Sequence, residues 1–348
     1  MENNKKEMDM TWGPQSDEVI FEIKNLKMYF PIDKTRAVRA VDDVSLSINK
    51  GEVIGLVGES GSGKSTIAYT VMGMYSQTDG DIYFKGKKLA PGKRNKDFKQ
   101  SVQIVFQDPG SSLNPHKDIR ETLSLPLKVH KIVDKDQIDD KIQEMLEMVE
   151  LPKDFLFRMP GAIGGGEKQL VSIARALCSN PEFIVLDEPT SSLDVSIQAK
   201  IINMLLRLYR EQHLTYMLIT HDLSLVRNIS TRVAIMYLGR ICEIAETAEF
   251  YNKPIHPYTQ MLLSAIPVIS EEEEKLKPKK IISQGEIPSP VNVPTGCRFN
   301  TRCKYCIDKC RQEEPQMEEI LPGHFVRCHR CHEMLDGVIT AEIQEDEF

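Results

Sequence analysis

VIGLVGESGSGKST, residues 53–66, sets a short apolar run directly before a glycine-rich turn, a lysine and two hydroxyl residues. The next residues, IAYTVMG, are helical in character, so the order is strand, loop, helix. Gly58, Gly61 and Gly63 free the backbone to curl, which lets successive N–H groups and the helix N-terminus converge on one anion. Lys64 brings a mobile positive charge. Ser65 offers a hydroxyl to Mg²⁺, with Thr66 close behind. The stretch reads as a phosphate-binding loop in a protein of α/β class.

Outward from this loop, β-branched runs alternate with amphipathic stretches: SVQIVF at 101–106, FIVLD at 183–187, YMLIT at 216–220 and RVAIMY at 232–237. Such alternation predicts a sheet with helices on its faces. DQIDDKIQEMLEMVEL at 136–151 carries apolar residues three and four apart, and with its neighbours it predicts a helical insertion over about 108–180. FIVLD ends in Asp187 and Glu188, which the carboxyl edge of a sheet would aim into the same crevice as the P-loop. Asp187 suits the Mg²⁺ shell, and Glu188 suits the water that attacks the γ-phosphate. Gln107 and His221 close two further strands at the same edge.

The chain has 348 residues, is 41% hydrophobic and carries a formal charge of −7, which supports one large domain plus a smaller one and no global basic surface for nucleic acid. No run reaches the ~18 apolar residues of a membrane span, and the polar start over 1–17 has no signal-peptide core. Beyond residue 252 the composition turns rich in Pro, Cys and charge, passing through an EEEE linker. Over 253–348 it reads as a separate extension rather than a continuation of the sheet. Six of the eight cysteines lie there, and in a reducing compartment they read as metal ligands. Spacing alone pairs Cys303 with Cys306 and Cys328 with Cys331, as two zinc knuckles would. Cys178 and Cys242 fall in apolar runs and read as core.

GESGSGKST, Gln107 in VFQDPGSSLNP, GGGEKQLVSIARAL, VLDEPTSSLD and ITHD together resemble the ATP-binding cassette of ABC transporters, over about residues 18–252. The resemblance implies a P-loop NTPase fold, with a RecA-like core sheet, a helical subdomain and the Cys-rich extension appended. It also implies ATP contacts from Tyr29, Gly58, Ser60, Gly61, Gly63, Lys64, Ser65 and Thr66, and Mg²⁺ at Ser65, Gln107 and Asp187. Glu188, Gln107 and His221 would act in hydrolysis, and Asp194 would form the D-loop. MYF at 28–30 leaves open whether Tyr29 or Phe30 stacks on adenine. The signature, Leu-Ser-Gly-Gly-Gln in the family, reads Ile163, Gly164, Gly165, Gly166, Glu167, so a hydroxyl that would reach a partner's ATP is missing.

NKPIHPYTQMLLSAIP at 252–267 and GEIPSPVNVPTGCRFNTRC at 285–303 resemble the extension of oligopeptide/dipeptide permease ATPases, and QDPGSSLNP is closer to the second ATPase of such pairs. That implies a heterodimer with another ATPase, two transmembrane permease subunits, an extracytoplasmic solute-binding protein, and a peripheral place on the cytoplasmic side of the cell membrane. The same resemblance selects Cys297, Cys303, Cys310 and Cys328 as ligands of a 4Fe-4S cluster, against the Zn²⁺ scheme read from spacing. A soluble ABC-type ATPase acting on nucleic acid or ribosomes is the rival reading, opposed by the acidic balance and the single cassette.

Overall fold

The computed structural model describes residues 16–191, 193–266 and 285–339. The first part of the polar N-terminal tail and the EEEE linker fall outside them. Twelve strands among the described residues form two sheets. β1 (Val19–Pro31), β2 (Ala37–Asn49), β4 (Asp79–Phe84) and β5 (Lys87–Lys88) make an antiparallel sheet in the order β2-β1-β4-β5. β3 (Val53–Val57), β6 (Val102–Val105), β7 (Phe183–Asp187), β8 (Thr215–Thr220) and β9 (Arg232–Tyr237) run parallel, in the order β9-β3-β8-β7-β6. β3, β7 and β8 are buried at every position, as unbroken apolar runs covered on both faces require.

One face of the parallel sheet meets the antiparallel sheet through a core that includes Phe21, Ile23, Ile54, Leu56, Ile67 and Val185. The other packs the helical insertion, whose helices Ile119–His130, Ile138–Met148 and Gly165–Leu177 send Leu123, Ile142, Leu146 and Ile173 inward. The helical pattern read over 136–151 holds from Ile138, its apolar stripe buried at Ile138, Ile142, Met145 and Leu146. Asp118 starts the first of these helices by accepting from Glu121 N at 2.7 Å.

The extension does continue the sheet, contrary to the compositional reading. β10 (Arg240–Glu246) pairs antiparallel with β9, and the hairpin of β11 (Glu318–Leu321) and β12 (His324–Val326) adds to its outer side, with Glu243 opposite Val326. These last strands are too short, and at Glu318 and Glu319 too charged, to stand out as strands in sequence. The edge of β10 supplies the pairing that they lack. Aromatic packing joins the extension to the body as well, since Phe299 sits against Tyr237 and Tyr258.

Candidate active site

The carboxyl ends of β3, β6, β7 and β8 open on one cleft of about 830 Å³, lined by Ser60, Gly61, Gly63, Lys64, Ser65, Thr66, Gln107, Glu188 and His221. Strand order places these loops side by side, although they are scattered over more than a hundred residues. Gly63 has φ 107°, and a Cβ there would come within 2.1 Å of the Ala40 carbonyl oxygen, so only glycine fits. The same holds by contact at Gly58, where a Cβ would meet the Met236 carbonyl oxygen at 2.1 Å. Lys64 starts the helix Lys64–Val71, and its Nζ donates to the carbonyls of Gly58 at 2.7 Å and Glu59 at 3.0 Å. Burial holds its pKa below the usual lysine value, and the carboxylates of Glu188 and Asp187 work against that shift.

Asp187 ends β7 fully buried, and its Oδ1 accepts from Ser65 Oγ at 2.9 Å. Its Oδ2 is buried and makes no close hydrogen bond; burial raises the carboxyl's pKa, and the Ser65 and Tyr69 hydroxyls work against that shift. A carboxylate oxygen so placed, next to a serine hydroxyl and facing the phosphate loop, is the donor set that Mg²⁺ takes. Glu188 comes next with φ 46°, a left-handed conformation that costs a non-glycine residue about 1–3 kcal/mol. The twist turns its carboxylate into the cleft, between two of the other predicted residues. Gln107 Nε2 donates to Glu188 Oε2 at 3.0 Å, and His221 Nδ1 lies 3.4 Å from Oε1. Thus Gln107, Glu188 and His221, from three strands, meet opposite the P-loop.

Residues 41–191 match the ABC transporter family, and 242–310 match the oligopeptide/dipeptide transporter C-terminal region. The oligopeptide transport ATP-binding protein AppF of Bacillus subtilis is 45% identical over 323 residues, covering 90% of this chain and 98% of its own. OppF of Haemophilus influenzae, another oligopeptide transport ATP-binding protein, is 40% identical over 313 residues, covering 89% and 94%. The chain belongs to the ABC transporter ATPases. Among solved structures, the ADP conformation of the ATP-binding cassette MJ1267 aligns with a TM-score of 0.59 at 27% identity, covering 69% of this chain and 98% of that one. A dimeric post-hydrolysis state of the cassette MJ0796, bound to ADP and Pi, aligns at 0.58 and 27%, covering 65% and 98%.

In this ABC ATPase, two groups of predicted residues lie away from the cleft. Gly164 caps the helix Gly165–Leu177, and Glu167 reaches back so that its Oε2 accepts from Gly164 N at 2.8 Å. A Cβ at Gly164 or Gly165 would have room, whereas at Gly166 it would press on Ile197 at 2.6 Å. Asp194 caps the helix Val195–Gln212, accepting from Ser196 Oγ at 2.7 Å and Ile197 N at 3.0 Å.

Tyr29 and Phe30 point to different sides of the strand. In the β1–β2 ladder, Tyr29 stands opposite Arg39 and Phe30 opposite Val38, and residues directly opposite share a face. Tyr29 turns away from the cleft to hydrogen-bond Asp42, its ring under the Arg39 guanidinium. Phe30 and Val38 line the cleft instead.

The ATPase cleft also receives residues that no local sequence signal marks. Ile287 and Pro290, from the extension, also line it. Arg302 holds both carboxylate oxygens of the P-loop's Glu59, at 2.8 and 3.1 Å, and Tyr258 Oη accepts from Glu59 N at 3.1 Å. Arg298 pairs with Asp42. Each arginine is a direct chain neighbour of a predicted ligand, Cys297 or Cys303.

Cys297, Cys303, Cys310 and Cys328 line one small chamber with Phe299, Tyr305 and Met334. All eight cysteines are free thiols. Burial pushes Cys297 up to about 11 and Cys303 up to about 12, with neighbouring thiols adding to the shift. Neither the iron set nor the zinc set brings three of its sulfurs within 4.8 Å of one another. Cys306 and Cys331 stand outside the chamber, and Cys331 faces Glu318 and His332. Among the described residues, that trio alone brings three possible ligand atoms within 4.8 Å of one another. Cys178 and Cys242 are buried in the core, as their apolar runs predict.

Proposed function

We propose that this ATPase energises import of oligopeptides, dipeptides or a related small solute, as one half of a nucleotide-sandwich heterodimer with a second ATPase. Two transmembrane permease subunits and an extracytoplasmic solute-binding protein complete the assembly, with this chain peripheral on the cytoplasmic side of the cell membrane. Peptide import rests on the relatives' names and on the match over 242–310. No helix among the described residues is long and apolar enough to cross a membrane, so passage of solute falls to other subunits. The insertion carries an apolar surface for them: Leu125 and Val129 are exposed four residues apart on one helix, and Phe157, on a turn packed against it, is 77% exposed.

One observation carries the hydrolytic role: Glu188 is held between Gln107 and His221 across from Lys64. ATP lies with its phosphates in the P-loop, where backbone N–H groups and Lys64 fix the β- and γ-phosphates. Glu188 orients a water in line with the γ-phosphorus and takes its proton as the P–O bond to ADP breaks. Gln107 and His221 hold the carboxylate in place and face the γ-phosphate. Ser65 and Asp187, with Gln107 at the edge, would hold Mg²⁺, which neutralises charge on the phosphate oxygens. Asp194 and the segment Gly164–Glu167 act at the dimer interface, toward the partner's nucleotide.

The four thiols of the chamber would hold a 4Fe-4S cluster. The reading is supported by four cysteines lining one small pocket where burial disfavours an uncompensated thiolate, so a cationic centre would offset their charge. Bound there, the cluster would cross-link loops that bury few apolar residues of their own. Affinity purification of the tagged chain from its native membrane tests the assembly. A second ATPase and two permeases should copurify; recovery of the chain alone with ribosomes or nucleic acid would overturn the transporter reading.

A further inference from the structure

The cleft has two chemically distinct ends. One is built from the P-loop, Lys64 and the Gln107–Glu188–His221 group, and suits a triphosphate. The other is walled by Phe30, Val38 and Ala40 from β1 and β2 and by Ile287 and Pro290 from the extension. A nucleotide with its phosphates on the P-loop has its base at the apolar end, since that is where flat apolar surface can be buried.

The segment carrying Ile287 is tied down around that end. The Pro290 carbonyl accepts from Arg39 N at 3.0 Å, on the strand that supplies Val38 and Ala40. Asn292 N closes a turn onto the Ser289 carbonyl at 3.1 Å, and Val293 packs into the core below. Ile287 itself joins none of the apolar clusters and is 46% exposed, a large aliphatic side chain left facing the cleft. We infer that residues 287–290 of the extension form a second wall of the nucleobase site, with Ile287 packing on the base. The inference rests on the P-loop reading of the phosphate end and adds that ATP binding is shared between the cassette body and its extension.

Inorganic tripolyphosphate, which has the phosphates and no base, separates the two ends. Displacement of a fluorescent ATP analogue from the full-length protein by Mg·ATP and by Mg·tripolyphosphate gives both affinities. Ile287→Asp should weaken Mg·ATP about tenfold, by loss of one apolar contact and introduction of a charge, and leave Mg·tripolyphosphate within about twofold. Ile287→Ala should weaken ATP by a smaller factor in the same selective way. Phe30→Ala, on the β1 wall, should repeat the selectivity. Lys64→Ala should weaken both ligands; if it weakens neither, the P-loop reading fails on its own account. The wall is refuted if Ile287→Asp leaves ATP affinity unchanged. It is equally refuted if both ligands weaken in parallel, because the segment would then act through the shape of the P-loop. Thermal unfolding of each variant checks that the fold is intact, and half-exposed Ile287 leaves little core to disturb.

Discussion

The triphosphate cleft and the cysteine chamber are both hollows that gather residues from distant parts of the chain, yet they are built by opposite means. In the cleft, the gathering is done by sheet topology: β3, β6, β7 and β8 end at one edge, and the loops that leave them arrive together. In the chamber, Cys297, Cys303 and Cys310 sit on turns and a five-residue helix, and Cys328 lies just past a three-residue strand. The hydrogen-bonded sheet holds the first in shape by itself, whereas the second brings together thiols that repel one another once ionised. The cleft is therefore preorganised for its ligand, and the chamber would gain most from the cluster proposed for it.

The largest effect should come from the preorganised side. Glu188→Gln removes the base while keeping the shape, so in the assembled transporter ATP turnover should fall by about 10²–10⁴ with ATP binding kept. Unchanged turnover per intact site would break the assignment of Glu188. The next tests dependence on ligand. Protein purified without oxygen should be brown and contain about four irons per chain, and Cys310→Ser should lose that iron and lower the melting temperature. Retention of metal by Cys310→Ser, or stoichiometric zinc in its place, would return the ligand set to Cys303, Cys306, Cys328 and Cys331.

A smaller effect lies at the dimer interface. Gly164 offers no hydroxyl, and a hydrogen bond to a charged group is worth about 1.5–3 kcal/mol. Gly164→Ser with Glu167→Gln should therefore raise hydrolysis at the site on the partner's P-loop, measured with Glu188→Gln silencing this chain's own. The structure leaves room for the new Cβ, so absence of any gain would mean that the altered signature is neutral. The smallest concerns the bridge between the two hollows. Arg302→Lys keeps the charge but loses the two-pronged hold on Glu59, which should cost about 1 kcal/mol and raise the KM for ATP severalfold with little change in kcat. A fall in kcat alone would remove Arg302 from any part in binding.

The P-loop is legible in the sequence because phosphate binding demands fixed residue types within nine positions, and β7 because an apolar run ending in two carboxylates has few other uses. Phe30 is not separable from Tyr29 in that way. The β1–β2 ladder shifts register three times between Ile23 and Tyr29, and each shift can exchange the faces of a strand, so alternation counted along the sequence loses its phase. Arg302 and Glu59 are 243 residues apart, and nothing local to either predicts the pair. Ile287 reads as one apolar residue in a proline-rich stretch. Its place facing the cleft comes from Pro290 meeting Arg39, a contact of the folded chain alone.

The hairpin laid along β10 has a consequence for solubility. An uncovered outer strand presents a row of free N–H and C=O groups, a ready template for a strand from another molecule. Here β12 covers that row, and its turn delivers His324 Nε2 to within 2.7 Å of Glu243, a carboxylate with no exposure to water that also accepts from Ile255 N and His256 N. A chain ended at Asn252, where the cassette resemblance stops, would bare the edge and also strip Glu243 of all three partners. Such a fragment should self-associate through its sheet edges, so the extension acts as a guard against aggregation.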